Sequence, residues 1–147
     1  MRRRKEGFSL VELLIVLAVM AALIATITPV AMNAIRKSQA TKVAQNLKSL
    51  GTAFENYLYV NNSEPSEITD LGRDIDTAHY GLSAASETGV YYVSVFTDEE
   101  ADLTTVREAL GSATDTVDSS ATSGNPVAFG LGSGSGSIFY NFDFQVY

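Results

Sequence analysis

Between Phe8 and Ile35 the chain carries one ionisable side chain, Glu12, in a run dominated by Leu, Val, Ile, Ala and Met. A helix needs roughly 20 apolar residues to cross the hydrocarbon of a bilayer. Residues 8–28 supply that length without a Gly or Pro, and in lipid a helix satisfies its own backbone groups. Arg2, Arg3, Arg4 and Lys5 lie immediately before the run. That basic flank orients the segment, with residues 1–7 cytoplasmic and the C-terminus outside. The anomaly is Glu12. A charge within the membrane costs at least ~2.5 kcal/mol on insertion scales, so an intramembrane carboxylate marks a function.

Two ordinary explanations fall short. A secretory signal peptide has an apolar core of about 7–15 residues followed by a small-residue cleavage site. Here the run is longer, and its small-residue break, Gly7-Phe8, precedes it. A plain signal anchor accounts for length and orientation but leaves Glu12 and the Gly7-Phe8 junction without a reason.

Gly7-Phe8-Ser9-Leu10-Val11-Glu12-Leu13-Leu14-Ile15-Val16 behind a basic leader resembles the cleavage and methylation motif of type IV pilins and type II secretion pseudopilins. The resemblance covers residues 1 to about 35, and the helical pattern to about residue 60 fits it. It implies that Gly7 is the last leader residue, cut by a prepilin peptidase on the cytoplasmic face. It implies that Phe8 is the new, N-methylated terminus, and that Glu12 meets the terminal amine of a neighbouring subunit during assembly. Pro29 matches a helix-loosening proline of many major pilins. The implied partners are copies of the same chain in a helical filament, the peptidase, and an inner-membrane assembly platform with cytoplasmic ATPases.

The physics of Glu12 supports that role independently. Once the leader is removed, Phe8 carries an ammonium at a helix N-terminus, and Glu12 lies one turn further on, where the helix dipole favours an anion. In lipid both charges seek an opposite partner. That partner can come from the same chain or from the subunit already in place.

Charge partition bears on the rest. The 147-residue chain has a formal charge of −7 and no Cys, so a domain outside the cytoplasm has no disulfide staple. Positive side chains are concentrated before residue 50; beyond it only Arg73 and Arg107 offset the acids. An acidic head argues against direct nucleic-acid binding and favours solubility or cation-mediated contacts.

The expected fold is α+β: a long N-terminal helix packed on a small antiparallel sheet. Residues 1–7 are a removable leader. Residues 8–60 form the helix, membrane-spanning over 8–28, loosened near Pro29 and amphipathic over 30–60. A helix of that length runs ~80 Å. Pro29 removes a donor and crowds the preceding turn, so a kink or local melting is expected, with Thr26 and Thr28 back-bonding nearby. Ala40, Val43, Ala44, Leu47, Leu50, Phe54, Tyr57 and Leu58 recur at three and four, with Gly51 suited to close packing on a strand. Asn61-Asn62 offers a left-handed stop.

The head, 61–147, reads as a loop over 61–89, a strand over 90–96, a helix over 98–110, a loop over 112–125 and a hairpin over 126–147. The strand Val90–Phe96 is apolar on both faces, so both should be covered. Thr97 with Glu100 forms a capping box for the following helix. Asp98, Glu99, Glu100 and Asp102 could instead suit calcium, which some pseudopilins bind in the head, but their spacing fits no EF-hand loop and capping is the favoured reading. Asp70, Asp74 and Asp76 surround Arg73 in the long loop. His79, the sole histidine, is read as exposed or structural rather than as a ligand. Tyr140, Phe142, Phe144 and Val146 alternate with polar residues, a half-buried strand pattern.

No catalytic constellation, phosphate loop or metal spacing is present in the sequence, so no cofactor is expected and an enzyme is the least favoured class. The favoured reading is a major type IV pilin, held in the inner membrane as a prepilin and then carried to a surface pilus serving adhesion, motility or DNA uptake. The runner-up is a type II secretion pseudopilin. A third reading, from another class, is a single-pass anchored binding module that stays uncut.

Overall fold

The computed structural model describes residues 7–72, 76–132 and 135–146. Most of the expected leader, residues 1–6, and Arg73 and Asp74 of the acidic loop lie outside the described residues. Clustering of contacts divides the chain into two units after Ile35, and each is described by itself.

The first unit holds the opening stretch of helix α1 (Leu10–Asn61). The large apolar side chains from Leu10 to Ile35 are 46–74% exposed. It is the one helix among the described residues long and apolar enough to cross a membrane. Its polar groups turn inward on the backbone: Thr26 Oγ1 donates to the Leu23 carbonyl at 2.9 Å, and Thr28 Oγ1 to that of Ile24 at 2.7 Å. The helix is unbroken across Pro29, so the local melting suggested by that proline does not occur. Its neighbours keep their helical bonds, and the cost falls on the one carbonyl that loses its donor.

In the second unit α1 becomes two-faced. Ala40, Val43, Ala44, Leu47, Leu50, Gly51, Phe54 and Leu58 are buried, while the intervening positions face outward or are half-covered. This stripe lies on a five-stranded antiparallel sheet of β1 (Tyr80–Glu87), β2 (Val90–Thr97), β3 (Ala113–Thr114), β4 (Val127–Gly130) and β5 (Ile138–Gln145), in the order β3-β5-β2-β1-β4. Tyr80, Leu82, Ala84, Val93, Val95 and Ile138 share the core with the helix. Burying a side chain such as Leu47, Leu50 or Phe54 contributes about 1.5–3 kcal/mol. Half-buried Tyr140, Phe142 and Phe144 extend the core along β5, with successive ring centroids 5.1 Å and 6.0 Å apart.

The opposite sheet face is also covered. Ser83, Ser94, Phe96 and Phe139 alternate with the core residues and are buried. The short turn Ser120–Thr122 crosses there, its Ala121 fully buried and its carbonyl accepting from Ser83 Oγ at 2.9 Å. Both faces of β2 are therefore covered from Val93 to Thr97, with Val90, Tyr91 and Tyr92 half-buried. Its apolar run demands that cover.

Several expectations need correction. The loop over 61–89 contains the whole of β1; a short helix near Ser66–Leu71 is the one element the sequence allows within it, and it is present as the 3-10 turn Ile68–Leu71. Thr88 and Gly89, both at positive φ, join β1 to β2 in a two-residue turn. Asn62, also at positive φ, follows the last residue of α1 as anticipated. The loop over 112–125 includes β3 and the turn at Ser120–Thr122. The expected hairpin over 126–147 does not form: β4 pairs with β1, whereas β5 pairs with β2 and β3. Crossing the sheet places the rings of β5 beside Phe54 and Tyr91, where they bury more apolar surface than a two-stranded ribbon allows. Helix α2 spans Leu103–Ala109 and starts later than expected.

Gly51 lies where α1 packs closely on the rings of β5. A Cβ built there would lie 2.7 Å from Phe142 Cε1 and 3.3 Å from Tyr140 Cε1. Gly51→Leu is expected to destabilise the head by about 1–3 kcal/mol through overpacking, measured by denaturant unfolding of the detergent-solubilised protein. Unchanged stability would contradict this packing.

Candidate functional site

The first turn of α1 is built by two side chains. Ser9 precedes the helix and its carbonyl accepts the first helical bond, from Leu13 N at 3.2 Å. Ser9 Oγ accepts from Val11 N at 3.4 Å, and Glu12 Oε2 accepts from Ser9 N at 3.0 Å. The Glu12 carboxylate thus makes the return half of a capping box, while the Ser9 hydroxyl serves Val11 N rather than Glu12 N. The structure gives the Glu12 carboxylate to Ser9, not to Phe8, whose nitrogen is here an amide joined to Gly7. Gly7 and Phe8 are exposed, with Phe8 at 88%, and among the described residues no atom lies within 4 Å of where a Gly7 Cβ would stand. The junction is therefore sterically open. Pro29 lies on the same helix, ~25 Å along its axis from Glu12, and is no part of this cluster.

Ser9 was missed as a functional residue by the reading of the sequence. Its signal was present, a Ser followed three residues later by Glu at the start of an apolar run. The same device recurs in the head, where Asp70 Oδ2 accepts from Ser66 N at 2.9 Å and Glu67 N at 3.0 Å.

The second candidate cluster, Asp98, Glu99, Glu100 and Asp102, is divided among separate tasks. Asp98 Oδ1 pairs with His79 Nδ1 at 2.8 Å. Glu99 and Glu100 border a groove with Gln39, Lys42 and Asn46 of α1. Asp102 caps α2: its Oδ2 accepts from Thr105 N at 2.9 Å and from the hydroxyls of Thr104 and Thr105. The Thr104 hydroxyl first, then those from Thr105, hold the Asp102 carboxyl below its ordinary range. The expected cap at Thr97 is corrected accordingly. Thr97 ends β2, and its hydroxyl is committed to the His79 carbonyl at 2.7 Å and to Glu99 N at 3.1 Å. Among the described residues no group of three or more His, Cys, Asp or Glu is placed to hold a metal ion.

His79 fastens the approach to β1 to the end of β2. Its hydrogen bond to Asp98, and then the charge of that carboxylate, raise its pKa above the ordinary 6.5, with Asp76 and Glu99 adding to the effect. A histidine whose folded pKa is raised adds stability that is fully present below its unfolded pKa and is lost as pH rises through the folded one. Stability is therefore expected to fall as pH climbs above about 6.5. His79→Gln should remove that segment of the pH profile. Denaturant unfolding of both proteins from about pH 5 to about pH 9 checks it, and identical profiles would contradict it.

Residues 2–28 match the family model described as the prokaryotic N-terminal methylation motif. Comparison with curated proteins and comparison with solved structures each returned no match.

Proposed function

From a chain whose first segment is that of the type IV pilin and pseudopilin class, we propose a structural filament subunit. It is inserted in the inner membrane as a prepilin, cleaved by a prepilin peptidase after Gly7, N-methylated at Phe8 and polymerised through its N-terminal helix. The class is a structural one rather than an enzyme family. The observation that carries the reading is a methylation motif opening onto an exposed apolar helix with one carboxylate.

Assembly in this proposal exchanges lipid for like helices. Both environments bury the same apolar surface, so gross hydrophobic transfer cannot drive the step, and close packing and polar pairing must. Glu12 supplies the pairing, by accepting the ammonium that cleavage creates on Phe8 of an incoming subunit. Pro29, whose missing N–H leaves the Ala25 carbonyl without its helical donor, is where the helix would yield when subunits pack or are pulled. The head, with its own two-sided sheet, would form the outer surface.

We place the assembled filament on the cell surface, as a pilus. The motif is shared with pseudopilins, whose shorter filament stays in the periplasm, and it serves either destination equally. The subunit chemistry proposed for Glu12 is the same in both.

Glu12→Gln tests the assembly step. The variant is expected to insert and be cleaved, and to polymerise at least about tenfold more slowly, the factor produced by losing ~1.4 kcal/mol of pairing. Filament yield per cleaved subunit is the measurement. A variant that assembles at the wild-type rate would overturn the pairing.

A further inference from the structure

We propose that copies of this chain join edge to edge through their sheets, the open half of β5 in one copy pairing antiparallel with β4 of the next. The proposal rests on the filament-subunit reading and names a contact that the N-terminal helix does not supply.

The sheet ends in two unlike edges. In the order β3-β5-β2-β1-β4, β4 is the outer strand on one side. On the other side β3 pairs with β5 only at Phe139 and Tyr140, so over residues 141–145 the ladder continues on the β2 side alone. The register tells which backbone groups point outward. Asp98 N donates to the His79 carbonyl, and Val146 N to that of Gly89. Successive residues of an antiparallel strand send their N–H and C=O to alternate sides. Even-numbered residues of β5 therefore bond β2, and Asn141 and Asp143 turn their backbone groups to the open side. Leu131 N donates to the Tyr80 carbonyl, so odd-numbered residues of β4 bond β1 and Ala128 faces outward. Among the described residues no loop backbone bonds to Ala128, Asn141 or Asp143. Beside β4 lies a groove bordered by Ile68, Thr69 and Thr77, which leaves room for a further strand.

Direction and sequence select the partner. β4 opposes β1, β1 opposes β2 and β2 opposes β5, so β4 and β5 run in opposite directions. Copies repeated in one orientation, as a polymer of parallel helices repeats them, bring β5 beside β4 in the antiparallel sense, the more stable pairing. Setting Asp143 opposite Ala128 places Phe142 opposite Phe129 and Phe144 opposite Val127. All four apolar residues belong to the core that α1 covers, so the contact continues one apolar face from copy to copy. β4 carries no charge to meet Asp143. Pairing β5 with β5 about the same residue would instead set Asp143 against Asp143, and like charges directly opposite are destabilising. A contact between unlike edges is heterologous and does not close on itself, so it extends a filament rather than ending in a dimer.

The chain has no Cys, so disulfide trapping reads this contact without background. Hydrogen-bonded antiparallel partners hold their Cα atoms about 5.5 Å apart, inside the span of roughly 4.4–6.8 Å that a disulfide bridges. Ala128→Cys and Asp143→Cys together, oxidised in filaments sheared from cells, are expected to give a ladder of linked subunits on a non-reducing gel. Either substitution alone should leave monomers. Filaments with N-methylated Phe8 that give no ladder, or dimers from a single-Cys variant, would overturn the edge contact and leave the subunit reading standing. An uncut chain that forms no filament would overturn both. Ala128→Pro decides the matter independently of whether the paired variant assembles, because it removes an outward N–H that the sheet of its own chain does not use. Its filaments are expected to come apart in detergent at least about threefold faster than those of Ala128→Ser, through one hydrogen bond lost at each contact. Equal rates would overturn the contact.

Discussion

Residues 8–35 present a long apolar surface that stays exposed. Everything proposed for this protein depends on that constraint. Large side chains left 46–74% exposed over so long a stretch are consistent with a bilayer, and in the proposed filament with other copies of the same helix. Either surrounding is apolar, so the few polar groups of the stretch must be satisfied locally. Thr26 and Thr28 return their hydroxyls to the backbone, and Glu12 returns one oxygen to Ser9. Of these groups only Glu12 bears a charge, and only it has acceptor capacity left over for another molecule.

The same helix serves a second purpose beyond Ile35. There its apolar positions narrow to one stripe, and Leu47, Leu50, Phe54 and Leu58 form the core with β1, β2 and β5. That core draws its members from the second unit, so the packing that defines the head does not use the surface a filament would need. α1 on one side and the Ser120–Thr122 turn on the other bury β2 from Val93 to Thr97, while Val90, Tyr91 and Tyr92 stay half-buried. In the proposed filament, intersubunit contacts would fall to the exposed helix and to the acidic surface of the head.

The helix and the candidate site were the most legible parts of the sequence, because their signals are local and strong. Three-and-four spacing from Ala40 to Leu58 marks the buried stripe, and Gly7, Phe8 and Glu12 carry a motif whose chemistry needs no tertiary context. β2 was legible from its continuous β-branched and aromatic run, and β5 from its alternation. β1 was not. Tyr80-Gly81-Leu82-Ser83-Ala84-Ala85-Ser86-Glu87 is built largely of Gly, Ser and Ala, weak strand formers that are held by a neighbour on each side. The pairing of β4 and β5 misled because consecutive strands usually adjoin, whereas here each finds its partner across the sheet. At Thr97–Asp102 two residues could cap a helix, and the choice turned on a distant carbonyl, that of His79, which claims the Thr97 hydroxyl. Ser9 was overlooked for a different reason. Glu12 already had a function to explain it, and its local role went unsought.

The central claim is that this chain is cut between Gly7 and Phe8 and enters a filament by its new N-terminus. N-terminal peptide mass spectrometry on filaments sheared from the cell surface, with the membrane fraction measured beside them, tests it most directly. Abundant N-methylated Phe8 in the sheared fraction is the predicted result. A chain found only with Arg2 to Gly7 still attached, in the sheared and the membrane fraction alike, would contradict it and leave an anchored protein that does not polymerise.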